Sequence, residues 1–135
     1  MKRTFEAKID NLDDVLNLVE EELTNHEASL KVIMPINVCV EEIFVNIASY
    51  AYEGSVGSCD IDIEFENDDV VITFTDTGMY FDPLAKQDPD INASAGERNI
   101  GGLGIYMVKK TMDKCEYQYL DNQNILTIRK KIKNV

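Results

Sequence analysis

Two hydrophobic rhythms divide the 135-residue chain. Over residues 12–30, Leu12, Val15, Leu16, Val19 and Leu23 recur at helical spacing behind the capping candidates Asp10 and Asn11. A second helix is predicted from Pro35, which suits a first turn, to about Tyr52, with Ile36, Val40, Ile43, Phe44, Ile47 and Ala51 as its apolar stripe. Gly54 and Gly57 break that pattern. Residues 59–66 (CDIDIEFE) then alternate strictly, Ile61, Ile63 and Phe65 against Asp60, Asp62, Glu64 and Glu66, as in a strand with one wet face. A turn at Asn67-Asp68-Asp69 leads to a partner strand over 70–76. Residues 3–9 read as an edge strand, and 116–121 and 124–132 as two closing strands joined at Asn122-Gln123. Helical periodicity returns at 102–115, with Leu103, Met107, Val108 and Met112 on its buried side. Between them, 77–101 is rich in Gly, Pro and small polar residues, a loop of a length that usually has a function. The order β-α-α-β-β-loop-α-β-β predicts an α+β two-layer α/β sandwich, a largely antiparallel sheet with helices on one face.

The length, 15.3 kDa and 44% hydrophobic residues fit one domain over 1–135. With 13 Lys plus Arg against 25 Asp plus Glu, the formal charge is −12 and the pI about 4.4. So acidic a chain is a poor match for direct nucleic-acid binding or for an anionic membrane. Seven carboxylates and no Lys or Arg lie between Asp10 and Glu27. A solvated helix face explains them, and a docking surface for a basic partner is the lesser alternative. No segment reads as a run of roughly 18 apolar residues, and the N-terminus lacks the apolar core of a signal peptide. Cys39, Cys59 and Cys115 form no C-x-x-C pair and read as small buried hydrophobes in a reducing cytoplasm. His26 is the one histidine, which argues against histidine metal sites and Ser-His triads.

Three short stretches carry candidate chemistry. Glu42, Asn46 and Tyr50 stand at i, i+4 and i+8, near one stripe of an otherwise apolar helix. A carboxylate there costs free energy unless it has a partner, and an Asn amide oxygen is a hard ligand suited to Mg²⁺. Asp76-Thr77-Gly78 follows an apolar strand; it is either a plain turn or an acceptor for a ring amine beside a glycine that admits close approach. Gly101-Gly102-Leu103-Gly104 opens a helix, as a hinge or as an anion site of free backbone N–H groups.

In this order the three stretches resemble the nucleotide-binding boxes of the GHKL ATPase/kinase superfamily, which includes gyrase, histidine kinase and MutL relatives. EEIFVNIASYAY is similar to its N box, DTGMYFDP to its first glycine box and GGLGIYMVKK to its second. The short form, the FDP after the first box and the GGLG-plus-helix ending look most like the anti-sigma-factor serine kinases, RsbW-like proteins with a compact histidine-kinase-like ATPase domain. The resemblance covers roughly residues 30–130. It implies a Bergerat fold with ATP and Mg²⁺ as cofactors. It makes Glu42 the general base and Asn46 the Mg²⁺ ligand. Asp76 becomes the acceptor for the adenine amino group, with Gly78 under the ring. Residues 82–100 become the ATP lid, with Arg98 meeting a phosphate. Gly102, Leu103 and Gly104 become the phosphate cradle, and Thr127 a threonine reaching the adenine site. Tyr50 stands where many relatives carry His. By the same resemblance the chain is a cytoplasmic homodimer that phosphorylates a STAS-domain anti-anti-sigma protein and sequesters a sigma factor. A noncatalytic ATP-binding interaction module and a stand-alone histidine-kinase-type ATPase domain are the alternatives.

Overall fold

Five antiparallel strands, in the order β1-β2-β3-β5-β4, make the sheet of the computed structural model, which describes residues 1–85 and 102–134. The strands are β1 (Lys2–Glu6), β2 (Ser58–Glu66), β3 (Asp69–Asp76), β4 (Lys114–Leu120) and β5 (Gln123–Lys131). Three helices, α1 (Leu12–Asn25), α2 (Leu30–Asn46) and α3 (Gly102–Thr111), cover one face, with α2 packed between the other two. The α+β two-layer architecture is the one the hydrophobic rhythm predicts. Alternation along β2, β3 and β5 sends Ile61, Ile63, Val70, Ile72, Phe74, Leu126 and Ile128 into a core shared with Val15, Val19, Leu23, Ile36, Val40 and Phe44. The acidic side chains of β2 point the other way.

The hairpins follow turn chemistry. Glu66 pairs with Asp69 across a two-residue turn in which Asn67 takes φ 56°. Leu120 pairs with Gln123, so the last turn is Asp121-Asn122 rather than Asn122-Gln123. Both turn residues have positive φ, 52° and 62°, a conformation that Asp and Asn accept and Gln resists.

The helix ends depart from expectation for local reasons. Helix α1 stops at Asn25, short of residue 30. Ala28 N–H returns to the Leu23 carbonyl (3.0 Å) and Glu27 N–H to that of Thr24 (3.0 Å), with Glu27 left-handed at φ 64°. That is a Schellman ending built without glycine, so no residue type announced it. Helix α2 starts at Leu30, not at Pro35, because an extended Ser29 offers its carbonyl to Val32 and Ile33 N–H. Pro35 then lies inside the helix; it and Lys31, whose carbonyl loses its usual donor, are both on the exposed side. Helix α3 ends at Thr111; its buried stripe is Ile105 and Val108, continued by Met112 just past its end. Met107, two residues from Ile105 and hence on another face, is exposed.

One expectation about apolar runs also changes. Leu30–Ala51 has a mean hydropathy of 1.5 over a window and is long enough, by composition alone, to cross a membrane. Burial accounts for only part of it: Ile36, Val40, Ile43 and Phe44 enter the core, whereas Leu30, Met34 and Val38, at i, i+4 and i+8, form an exposed apolar stripe.

Candidate nucleotide site

A cavity of about 430 Å³ opens between the C-terminal half of α2, the end of β3, the segment after it, and strands β4 and β5. Ile43, Ile47, Ala51, Phe74, Ile105 and Leu126 give it apolar walls. Asn46, Tyr50, Asp76, Tyr117 and Asn124 supply polar groups, and Met79, Tyr80, Phe81 and Pro83 form its rim. This size and this mixture of apolar walls with a few polar groups suit a small organic ligand.

Asp76 is the last residue of β3, and the strand's alternation carries it inward to 6% exposure. Its Oδ1 accepts from Gly78 N–H (2.9 Å) and from the Asn124 amide nitrogen (3.0 Å). Its Oδ2 has no hydrogen-bond partner among the described residues. Burial raises the carboxyl above its ordinary range, and the two donors oppose that shift. The result is a buried acceptor at the cavity wall.

Asn46 closes α2 and lines the cavity. Beyond it the helix widens into a π turn, Ile47–Ala51, and Tyr50 in that turn also lines the cavity. Glu42, one turn earlier, lies outside the lining and against α3: a Cβ built on Gly104 would meet Glu42 Oε2 at 2.1 Å. The carboxylate therefore rests on the first turn of α3, where helix N–H groups and the dipole favour negative charge. Gly102 and Leu103 begin that helix. Ile105 of α3 and Asn46 of α2 line the same cavity, so the first and third boxes meet on one side of the molecule.

Gly78 has a packing role distinct from the place under a ring that the resemblance gave it. A Cβ there would sit 2.3 Å from the Ala51 carbonyl oxygen, and the next residue, Met79, donates its N–H to that oxygen (2.9 Å). The glycine lets the segment after β3 dock on the end of α2. Thr127 is corrected outright. On β5, Asn124 and Leu126 face the cavity, so Thr127 faces the open side of the sheet, where its hydroxyl meets that of Thr73 at 3.3 Å. Arg98 and residues 86–100 of the expected lid lie outside the described residues.

Three residues escaped the sequence reading. Asn124 supplies the buried amide beside Asp76. Tyr117 donates its phenol to the Asn124 oxygen (2.5 Å). Tyr52 donates to the Ser58 carbonyl (2.5 Å) and accepts from Thr77 N–H (3.0 Å), which braces the turn after Asp76. Its ring fills the space beside Gly57, where a Cβ would come within 2.1 Å. A signal for Tyr52 existed in Gly57, the glycine directly before the alternating strand; Asn124, in a strand of ordinary composition, gave none.

A family model described as the histidine kinase-like ATPase domain matches residues 5–130. The chain belongs to that family. It is similar to the serine/threonine-protein kinase BtrW of Bordetella bronchiseptica, 24% identical over 116 residues that cover 85% of this chain and 82% of BtrW. Its fold matches the crystal structure of the RsbU and RsbW domains of a Mycobacterium tuberculosis protein, with a TM-score of 0.66 and 15% identity over 98% of this chain and 32% of that longer one. It also matches the Acinetobacter baumannii histidine kinase AdeS, with a TM-score of 0.51 and 13% identity over 98% of this chain and 68% of that one. A histidine-kinase-like ATPase domain implies ATP binding. The family match gives the cavity its most direct interpretation, because every box of the resemblance touches it or flanks it.

Proposed function

We propose that residues 1–135 act as one ATP-dependent protein serine/threonine kinase domain and anti-sigma regulator. Its substrate would be a STAS-domain anti-anti-sigma protein, and its second partner a sigma factor. The observation that carries this is the convergence on one cavity of a buried carboxylate acceptor, Asp76, an amide, Asn46, at a helix end, and the start of α3 with Glu42 held against it. The 24% identity to a protein named as a serine/threonine-protein kinase supports the reaction class.

The roles follow from the chemistry of each group. The apolar walls would take the adenine, and Asp76 Oδ2 would accept from its amino group. Placement by α3 would set the phosphates at the helix start, where N–H groups point outward. The Asn46 amide oxygen fits Mg²⁺, a hard cation that prefers oxygen. Bound there, Mg²⁺ would offset the charge that builds on the phosphate oxygens. Glu42 would accept the proton of an incoming Ser or Thr hydroxyl, held near the reacting phosphate by its seat on Gly104. Assembly as a homodimer and a place in the cytoplasm belong to the same proposal.

The experiment is incubation with γ-labelled ATP and a STAS-domain protein encoded beside this chain. Label on a Ser or Thr of the partner, lost in Glu42→Gln while ADP still binds, is the expected outcome. Equal labelling by both proteins removes Glu42 as the base. Binding of ATP with no transfer to any partner favours the noncatalytic module.

A further inference from the structure

Asn124 is 6% exposed, and both groups of its side-chain amide are hydrogen-bonded within the protein. Its nitrogen donates to Asp76 Oδ1 (3.0 Å) and to the Met79 carbonyl (2.9 Å), with the Gly78 carbonyl at 3.4 Å. Its oxygen accepts from Phe81 N–H (3.1 Å) and from the Tyr117 phenol (2.5 Å). These neighbours fix which way the amide points. A flip would set its oxygen against two carbonyls and a carboxylate, and its nitrogen against a backbone donor. One side chain of β5 therefore touches the end of β3, the segment over 78–81 and strand β4 at once.

We propose that Asn124 is a positioning residue of the nucleotide site: its amide commits Asp76 Oδ1 as an acceptor, leaves Oδ2 for the base, and ties that carboxylate to the cavity rim at residues 78–81. This inference rests on the nucleotide reading of the cavity. It assigns to Asn124 the β5 contribution that the family resemblance gave to Thr127, with a difference in kind. A hydroxyl can donate or accept, whereas this amide nitrogen can only donate, so it favours the ionised, accepting form of Asp76 against the burial that raises its carboxyl.

Replacing the amide with a carboxylate isolates that point. Asn124→Asp sets two carboxylates about 3 Å apart in a buried site, where both cannot stay ionised. At low pH the shared proton restores a donor to Asp76; at high pH it is gone. The other titratable groups facing Asp76 are the Cys59 thiol from β2, which burial pushes far up, and the Tyr117 phenol from β4, also raised by burial. Tyr80 and Asp82 act on Tyr117 in turn. Cys59 and Tyr117 are neutral across the range tested.

The test is calorimetric titration of the full chain with ADP and Mg²⁺ from pH 5.5 to 8.5, after thermal melts of each variant. Thr127→Ala should bind as the parent does. Asn124→Asp should bind roughly tenfold weaker or worse at pH 8 and recover towards parental affinity near pH 5.5. A purely structural role predicts a loss without that recovery. Parental affinity and an unchanged pH profile in Asn124→Asp overturn the proposal. If Asn124→Asp does not fold at pH 8, Asn124→Ala takes its place, with roughly tenfold weaker binding expected and unchanged binding overturning it. A second readout needs no nucleotide: the carboxyl carbon of Asp76, followed by NMR in ligand-free protein, should titrate at higher pH in Asn124→Ala than in the parent, because one of its two donors is gone. No shift overturns the coupling. A parent that fails to bind ADP while its Asp76 responds to Asn124 refutes the nucleotide reading and leaves the amide–carboxylate pair in place.

Discussion

Gly104 leaves no room for a methyl group, since the position of its absent Cβ lies 2.1 Å from Glu42 Oε2. Gly104→Ala must therefore push the carboxylate away from the start of α3 by more than an ångström. Phosphate transfer should fall about tenfold or more, in line with the value of a positioned general base. Glu42→Asp, shorter by one methylene, should restore part of that loss in the double variant; single-turnover transfer rates measure both. Asp76 yields a prediction of a different kind. Its folded-state carboxyl is raised by burial, so the folded chain holds this proton more tightly than the unfolded chain does. That contribution favours folding as pH falls through the raised value and is lost as pH rises above it. Asp76→Asn removes a buried charge, so at pH 7.5 its ligand-free melting temperature should equal or exceed the parent's. The upward shift given by Mg-ATP should vanish in a melting experiment. A variant that melts lower but keeps the nucleotide shift would contradict the assignment. At this scale much was legible. Glu42, Asn46, Asp76 and Gly104 stand out in sequence because polar groups and glycines in apolar surroundings need a reason. Thr127 was misplaced because its role came by resemblance, while strand alternation put it on the other face.

Elements show where local chemistry overrode periodicity. Helix α1 ends through hydrogen bonds around Glu27 at φ 64°, a conformation that glycine adopts without a Cβ penalty. Glu27→Gly should raise stability by about 0.5–1 kcal/mol, read as a melting temperature about 2–4 °C higher. A lower melting temperature would mean that the Glu27 side chain, rather than its backbone, matters there. The stacking of His26 on Phe65, 3.5 Å between ring centroids, holds the same corner against β2. The π turn at Ile47–Ala51 was equally unreadable, because apolar periodicity runs through it; the structure shows its use, which is to present the Ala51 carbonyl to Met79 beside Gly78. Strand pairing, by contrast, was plain in CDIDIEFE, where a period of two places Ile61, Ile63 and Phe65 on one face, and in VVITFTD, where Val70, Ile72 and Phe74 keep that period and only Val71 lies opposite.

At the scale of the whole molecule, antiparallel topology is what makes the site. The order β1-β2-β3-β5-β4 sets β3 beside β5, so that Asp76 pairs with Asn124 in register. Helix α2 crosses above them and delivers Asn46, and α3 enters from the far side of α2 with Ile105 at the cavity. No sequence pattern states that strand order; it follows from how the closing hairpin adds to the sheet. The formal charge of −12 bears on partners, since it favours a protein with a neutral or basic face. The measurement closest to the core of this assignment is the heat of mixing of the pure folded chain with Mg-ADP at up to millimolar concentration, with Asp76→Asn alongside. Saturable binding at one site per chain, absent in the variant, is the predicted result. No heat in either protein, or equal binding in both, would show that this cavity is not where a nucleotide sits.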